Sequence, residues 1–474
     1  MTTRRKVKND KLQSRIKGQV LAPGDAGYDD ARRVWNAMID RQPAVIVRCA
    51  EAADVAPAIA FARENGLELS IRGGGHHIAG HSVSDGGLMI DFSGMKNVAV
   101  DSSTRRASVQ PGATLGDFDR AVQLHALATP VGINSTTGIA GLTLGGGFGW
   151  LTREYGMTID NLLAADVVAA DGKLLRASEE DHPDLFWAIR GGGGNFGVVT
   201  QFEFKLHPLG PSVFAGLIVF PLREAKEVLT QYREFVESAP AKLNVWAVLR
   251  QAPPLPFLPQ DVHGTEVVVL AVFFAGNARD GERFIQPLRR FGNVLGEHVG
   301  PMLYTQWQQS FDPLLTPGFR NYWKSHNFTQ ISDGLLDTIL EFAGKLPSPH
   351  CEIFVGLLAG AANEVPPEAT AYSARDARFV INVHGRWENA KQDHDGIAWS
   401  RAFFQAAAPY ASSGAYINFM TADEGERVAA AYGPNYARLL EIKQRYDPEN
   451  IFHLNQNISA SQQGRRKTAQ RKSA

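Results

Sequence analysis

Glycine is distributed unevenly along this 474-residue chain, and that distribution constrains the fold more than any other feature. Three clusters, Gly73 to Gly75, Gly145 to Gly147 and Gly191 to Gly194, fall in the first half, each joined to an apparent strand or helix. Such runs let the backbone approach another group closely. Between them, the β-rich segments 44–47, 68–71, 88–91, 107–109, 162–169 and 198–205 alternate with helix-like segments 53–64 and 115–124. This is mixed α and β without an internal repeat. After Pro208-Leu-Gly-Pro211 the texture shifts to longer strands and amphipathic helices, predicted over 222–238 and 280–291. A last helix over 433–445 is stopped by Tyr446-Asp447-Pro448. A chain of this length is expected to fold as two domains.

Charge is balanced, with 48 basic and 49 acidic residues. No overall field invites nucleic acid, a polyanionic substrate or a membrane surface. No stretch has the length and apolarity of a membrane span. The twin arginines Arg4-Arg5 lack a following apolar segment, so a cytoplasmic location is expected. The basic residues between Arg4 and Lys17, and those from Arg465 to Lys472, read as solvated tails. Cys49 and Cys351 each lie beside a predicted strand and read as small buried hydrophobes. Neither a disulfide nor a metal site is expected from them.

Gly192-Gly-Gly194-Asn-Phe-Gly197 satisfies the G-x-G-x-x-G dinucleotide pattern. That pattern requires a strand before it and a helix after it. Here a helix-like 184–190 precedes and the β-branched run 198–204 follows, so a Rossmann NAD site is rejected. The other two loops suit a different cradle. Leu69-Ser-Ile-Arg72 runs as a strand into three glycines whose N–H groups can form an anion-binding nest beside Arg72. The segment Gly132 to Gly149 adds Ser135, Thr136, Thr137 and Thr143, a series of hydroxyls along a path long enough for a dinucleotide. Any one loop is equally well a tight turn; three in one domain favour a cofactor cradle.

Four ordered motifs then resemble the FAD-linked oxidases of the berberine-bridge-enzyme type, within the vanillyl-alcohol-oxidase-like flavoprotein fold. These are Arg72-Gly-Gly-Gly-His76-His77-Ile-Ala-Gly80; Gly138-Ile-Ala-Gly141-Leu-Thr-Leu-Gly-Gly-Gly147-Phe-Gly149 with Tyr155-Gly-Met-Thr-Ile-Asp160-Asn161; Asp184-Leu-Phe-Trp-Ala-Ile-Arg-Gly-Gly-Gly-Gly-Asn-Phe-Gly197; and Tyr446-Asp-Pro-Glu-Asn-Ile-Phe452 with Asn455-Gln-Asn-Ile458. The resemblance implies an α+β fold in which a split FAD-binding domain, residues 1–211 and 417–474, encloses an antiparallel-sheet substrate domain, residues 212–416. It implies covalent FAD joined through His76 to the flavin 8α carbon. It assigns Arg72, Gly73, Gly74, Gly75, His77 and Gly80 to the cofactor from the first loop. Asn134, Thr136, Thr137, Gly138, Gly141, Leu142, Thr143 and Gly147 follow from the second, with Val199, Asn455 and Asn457 beyond. The chain departs from the family pattern in ways that bear on its chemistry. Asn134 stands where many relatives carry a second, cysteine tether, so attachment is expected to be single. Leu142 stands where relatives often have histidine. Thr137 has the shape of the valine associated with oxygen access. The three histidines His76, His77 and His81 lack the spacing of a metal cluster.

Hydride transfer from an alcohol carbon leaves a proton for a positioned base. Many relatives end a Tyr-x-Asn-Tyr motif with that base; Tyr416-Ile-Asn418-Phe419 ends instead in phenylalanine. In the predicted strand 379–387, period-two alternation puts Val380, Asn382 and His384 on one face. His384 is a candidate base, with a water-facing strand-end histidine as the plainer reading. Tyr416 is its rival; Tyr372 and Glu352 are weaker candidates. The aromatic segment Tyr304 to Trp323 reads as pocket lining or as core. The expected activity is oxidation of a small-molecule alcohol, a sugar or secondary metabolite, with O2 as acceptor. A dehydrogenase using another electron acceptor, an oxidative cyclase and a non-catalytic flavin-binding protein are the alternatives.

Overall fold

The computed structural model describes residues 10–412 and 414–460. The tail residues Arg4 to Lys8 and Arg465 to Lys472 lie outside them. The basic start of the chain is not a tail throughout. Residues Asp10–Gln13 form a helical turn that buries Leu12, and Lys17 pairs with Glu51 at 2.7 Å.

Three sheets organise the chain. The first runs in the order β1-β2-β4-β3, with β1 Gln19–Leu21, β2 Val45–Arg48, β3 Leu69–Arg72 and β4 Leu88–Asp91. Strands β2 and β3 both pair parallel with β4, and the crossover from β2 to β3 is the helix Val55–Asn65, which Gly66 stops with φ 61°. The second is antiparallel, in the order β5-β6-β10-β8-β9. Its strands are β5 Val98–Asp101, β6 Arg106–Val109, β8 Leu162–Val168, β9 Leu174–Ser178 and β10 Val198–Lys205, while β7 Leu127–Ala128 and β11 His207–Pro208 make a small separate ladder. The helix Pro183–Ile189 precedes β10, so the third glycine loop runs from helix to strand. The helix Leu115–Gln123 starts on a capping box in which Thr114 and Asp117 satisfy each other's backbone.

The third sheet has seven antiparallel strands in the order β15-β12-β14-β13-β17-β18-β16. They are β12 Ser212–Pro221, β13 Leu243–Gln251, β14 Glu266–Phe274, β15 Gly296–Leu303, β16 Arg320–Phe328, β17 Glu352–Leu357 and β18 Phe379–Trp387. Helices Ala225–Ser238, Asp333–Ala343 and Asp393–Ala407 cover one face and enclose its apolar core. The helix expected over 280–291 divides at Pro287 into Ala278–Ile285 and the 3-10 turn Gln286–Arg290. The Tyr304 to Trp323 segment is likewise split, into a helix Tyr304–Gln309 and the start of β16.

The end of the chain returns to the first half. Lys443 buries its ammonium against Asp447 at 2.6 Å and donates to the carbonyls of Asn195 and Phe452. One lysine thus holds the last helix, the third glycine loop and the returning segment around Phe452 together. Tyr416 packs in the core of the seven-stranded sheet, while its neighbours Ala415 and Ile417 pack in the core of the second sheet. Arg375 reaches across the same seam and grips Asp160 with two hydrogen bonds of 2.7 and 2.8 Å. No helix among the described residues is long and apolar enough to cross a membrane.

Candidate active site

A cavity of about 370 Å³ runs along the seam between the seven-stranded sheet and the first half, a size ordinary for small-molecule sites. At one end it is walled by the glycine loops. Gly74 and Gly138 interlock there: a Cβ on Gly74 would lie 2.3 Å from the Gly138 nitrogen, and the converse contact is as close. Neither position tolerates any side chain. Gly141 and Gly194 differ, since a Cβ on either would meet nothing within 4 Å; both line open space in the cavity. The backbone N–H groups of Gly74, Gly75, His76 and His77 have no acceptor among the described residues. Gly75 is buried and the other three are half-buried, and donors shielded from water without acceptors are uncommon. A row of them beside space that glycine keeps clear suits an electronegative, flat or phosphate-bearing group, and FAD fits that description.

His76 stands at this end, with its ring 5.2 Å from Trp35 and nearly parallel to it. Burial pushes its pKa down to about 3, so the ring is neutral. The Thr136 hydroxyl donates to Asn134 Oδ1 at 2.7 Å and therefore accepts from His76 Nε2 at 2.9 Å. The ring proton accordingly sits on Nε2. The lone pair is left on Nδ1, 3.4 Å from Thr137 Oγ1. Burial likewise lowers His77 to about 4, and His77 packs against His81 with ring centroids 4.6 Å apart.

The structure brings Gly73, Gly74, Gly75, His76, His77, Asn134, Thr137, Gly138, Gly141, Leu142, Val199, Asn455, His384 and Tyr416 onto the cavity wall. It places the remaining candidates elsewhere. Arg72 turns away to donate to the Ala31 carbonyl and does not complete an anion nest. Gly80 is a turn residue with φ 70°, closed off by the Ile39 side chain. The series of hydroxyls expected along the second loop does not form, because Ile139–Leu144 is a helix. Thr143 bonds the Ile139 carbonyl within that helix, and Ser135 is held by Asp312. Thr136 acts through His76 behind the wall. Gly147 gives its N–H to the Tyr416 hydroxyl at 3.2 Å and abuts Thr158. Asn457 is off the wall, with a buried Oδ1 lacking a protein partner.

The opposite end is built on the seven-stranded sheet. In register across four adjacent strands lie Arg250 on β13, Glu352 on β17, His384 on β18 and Trp323 on β16. Directly opposed residues on neighbouring strands hold their side chains within contact distance. Arg250 Nη1 donates to Glu352 Oε2 at 2.7 Å, and His384 Nδ1 meets Glu352 Oε1 at 2.8 Å. Burial opposes the charge on Glu352 more strongly than any other influence. Arg250, and then His384 and Arg386, override it and hold the carboxyl at about 2. An ionised carboxylate only accepts, so His384 Nδ1 is the donor in this contact. Nε2 is buried with no protein partner, and His384 lines the cavity. The ring is clamped between Trp323, 4.3 Å away, and Phe354, 5.7 Å away. His384 is 8% exposed, so the reading of it as a water-facing strand-end residue is overturned. The β18 terminus is covered by its neighbours instead of opening to solvent.

Tyr416 has a different character. Its oxygen accepts from Gly147 N–H and from Asn418 Nδ2 at 3.0 Å, and burial pushes its pKa up to about 12. It stays a neutral phenol near pH 7. Tyr372 is fully enclosed, its acidity also suppressed by burial, and off the wall. Sequence reasoning missed Trp35, which no motif marks, and Arg250, whose part depends on strand pairing across about a hundred residues.

Two family models match the chain: "FAD binding domain" over residues 43–178 and "Berberine and berberine like" over 415–459. An uncharacterised FAD-linked oxidoreductase of Bacillus subtilis is 31% identical over 94% of this chain and 99% of its own length. The (R)-6-hydroxynicotine oxidase of Paenarthrobacter nicotinovorans is 31% identical over 94% of this chain and 97% of its own. Among solved structures, 6-hydroxy-D-nicotine oxidase from Arthrobacter nicotinovorans superposes with a TM-score of 0.83 at 29% identity, covering 94% of this chain and 98% of that one. Xylooligosaccharide oxidase from Myceliophthora thermophila, in complex with xylobiose, gives 0.83 at 27%, over 94% and 98%.

Proposed function

This chain belongs to the berberine-bridge-enzyme-like FAD-linked oxidoreductases, and on that footing we propose that it is an oxidase. It takes hydride from a hydroxyl-bearing carbon to FAD tethered singly through His76, with O2 as the acceptor. The observation that carries the reading is the Arg250–Glu352–His384 row, which holds a histidine with one unpartnered ring nitrogen on the wall of the cavity whose far end holds His76 and the glycine loops.

When bound, FAD supplies a two-electron acceptor that receives the hydride and passes both electrons to oxygen, giving hydrogen peroxide. The protein's part is positional and protonic. His384 Nε2 accepts the substrate hydroxyl proton as hydride leaves the carbon. Glu352 keeps the other ring proton on Nδ1 and stabilises the imidazolium that results; Arg250 keeps Glu352 ionised. Tyr416, protonated and fixed by Gly147 and Asn418, orients without taking the proton. Neutral His76, with its lone pair on Nδ1 beside the Thr137 hydroxyl, is the attachment point. The glycine loops with Val199 and Asn455 bound the cofactor's space.

Acid denaturation of purified protein tests the tether: flavin should stay with the wild-type polypeptide and wash out of His76→Ala. The acceptor is tested by anaerobic reduction followed by air. Rapid reoxidation with peroxide supports the oxidase, and slow reoxidation turns the reading to a dehydrogenase. A flavin that no small-molecule alcohol reduces would leave a binding protein.

A further inference from the structure

The cavity's substrate end is sharply divided in polarity, and the division follows the strands. On the sheet, Arg250, Glu352 and His384 supply the polar side chains from one cross-strand row, and Tyr416 and Asn418 add polar groups from the segment beside it. Two residues further along each strand the same face turns apolar. Val248 and Phe354 occupy the next row, with Val269 opposite Val248; Trp246, Ala271 and Leu217 form the row after. Loop residues Pro253 and Leu255 close over this floor.

Resting on the oxidase reading above, we infer that the substrate is a neutral, largely apolar, ring-bearing alcohol with its oxidisable hydroxyl as the polar handle. It is neither a glycan nor a cationic amine. A sugar ring carries several hydroxyls, each of which loses water on entry and needs a replacement partner. The two apolar rows provide none. A flat or fused hydrocarbon ring instead covers Trp246, Val248 and Phe354 while its hydroxyl reaches His384 Nε2. The charge at the polar row argues against an ammonium group. Both oxygens of Glu352 are engaged, one by Arg250 and one by His384, so no free carboxylate faces a cation.

Three probes at the flavin-loaded enzyme, kept anaerobic, decide the matter: 1-indanol, its ammonium counterpart 1-aminoindane, and xylobiose. Binding is read from quenching of tryptophan fluorescence and from the shift of the flavin absorption band. The expected result is saturation by 1-indanol with a Kd at least tenfold below either of the others. A further tenfold or greater weakening is expected in Val248→Asn, which puts an amide on the apolar floor. Equal or tighter binding of xylobiose or 1-aminoindane overturns the inference, as does the absence of 1-indanol binding or its indifference to Val248→Asn. These outcomes are separable from failure of the oxidase reading, which is judged by flavin retention in acid and by peroxide formation.

Discussion

Replacing Glu352 with glutamine keeps the shape of the polar row and deletes its charge, and the consequences follow from the contacts around it. Arg250 and His384 bring the carboxyl from an ordinary 4.5 to about 2 despite its burial, a preference for the charged form of about 3 kcal/mol. Removing one partner of a buried ion pair, which would leave the Arg250 guanidinium uncompensated, costs about 3–5 kcal/mol by an independent route. Glu352→Gln should therefore lower stability at pH 7 by about 3 kcal/mol. The sign with pH is fixed. A carboxyl held below its unfolded value stabilises the fold fully above about pH 4.5, and that contribution is lost as pH falls through about 2. The gap between wild type and variant should thus be constant from pH 5 upward and shrink towards pH 3. The effect on rate is separate. An amide no longer forces the imidazole proton onto Nδ1 and offers no charge to the imidazolium, so the rate of flavin reduction should fall by about 10²- to 10⁴-fold. Stopped-flow reduction of the flavin, with denaturant titrations at several pH values, reads both. A variant that loses stability yet reduces its flavin within threefold of the wild-type rate would refute the mechanism, because Glu352 would then be a structural ion-pair partner and His384 would not be the base.

His384→Ala should bind flavin normally and reduce it about 10²- to 10⁴-fold more slowly, measured in the same stopped-flow experiment, while Tyr416→Phe should cost far less because the phenol donates no proton in the proposed step. Gly74→Ala forces a methyl to within 2.3 Å of the Gly138 backbone; soluble expression and flavin content should both collapse. Asp119 is fully enclosed, and burial raises its pKa to about 7 although Gln308 donates to it. A carboxyl raised above its unfolded value weakens the fold as pH climbs from about 4 through 7. Asp119 Oδ1 and Gln308 Oε1 both lack partners, and an amide at position 119 supplies the missing donor. Asp119→Asn should hence leave stability unchanged at pH 4 and raise it by about 1–3 kcal/mol at pH 8, as read by thermal unfolding at the two pH values.

The parts of the molecule that were legible in the sequence are those set by neighbouring residues. The β-branched runs over 198–205 and 379–387 become strands with those bounds, because hydrophobic alternation and the flanking turns are local signals. The reversed order around the third glycine loop was readable for the same reason. The second glycine loop was misjudged. Its hydroxyls looked available, but Ile139, Ala140, Leu142 and Leu144 favour a helical turn, and that turn consumes Thr143. Alternation placed His384 on a defined face yet left open whether that face meets water or a cavity. That depends on Trp323 and Phe354, brought from two other strands. Trp35 was invisible because its contact with His76 joins two segments with no shared pattern.

The seven-stranded sheet also bears on how such a chain diversifies. The residues proposed to carry the reaction occupy one rung of the ladder, and those that meet the rest of the substrate occupy the rungs two and four residues away on the same strands. A substitution at Val248, Val269 or Leu217 therefore alters which molecule is admitted while the hydrogen bonds of the Glu352 rung stay as they are. A single-residue insertion within β18 ahead of His384 does the reverse, turning the imidazole to the helix-covered face and leaving the apolar floor in place. Selection can thus move through many substrates by point mutation, whereas the reaction itself is guarded by strand register.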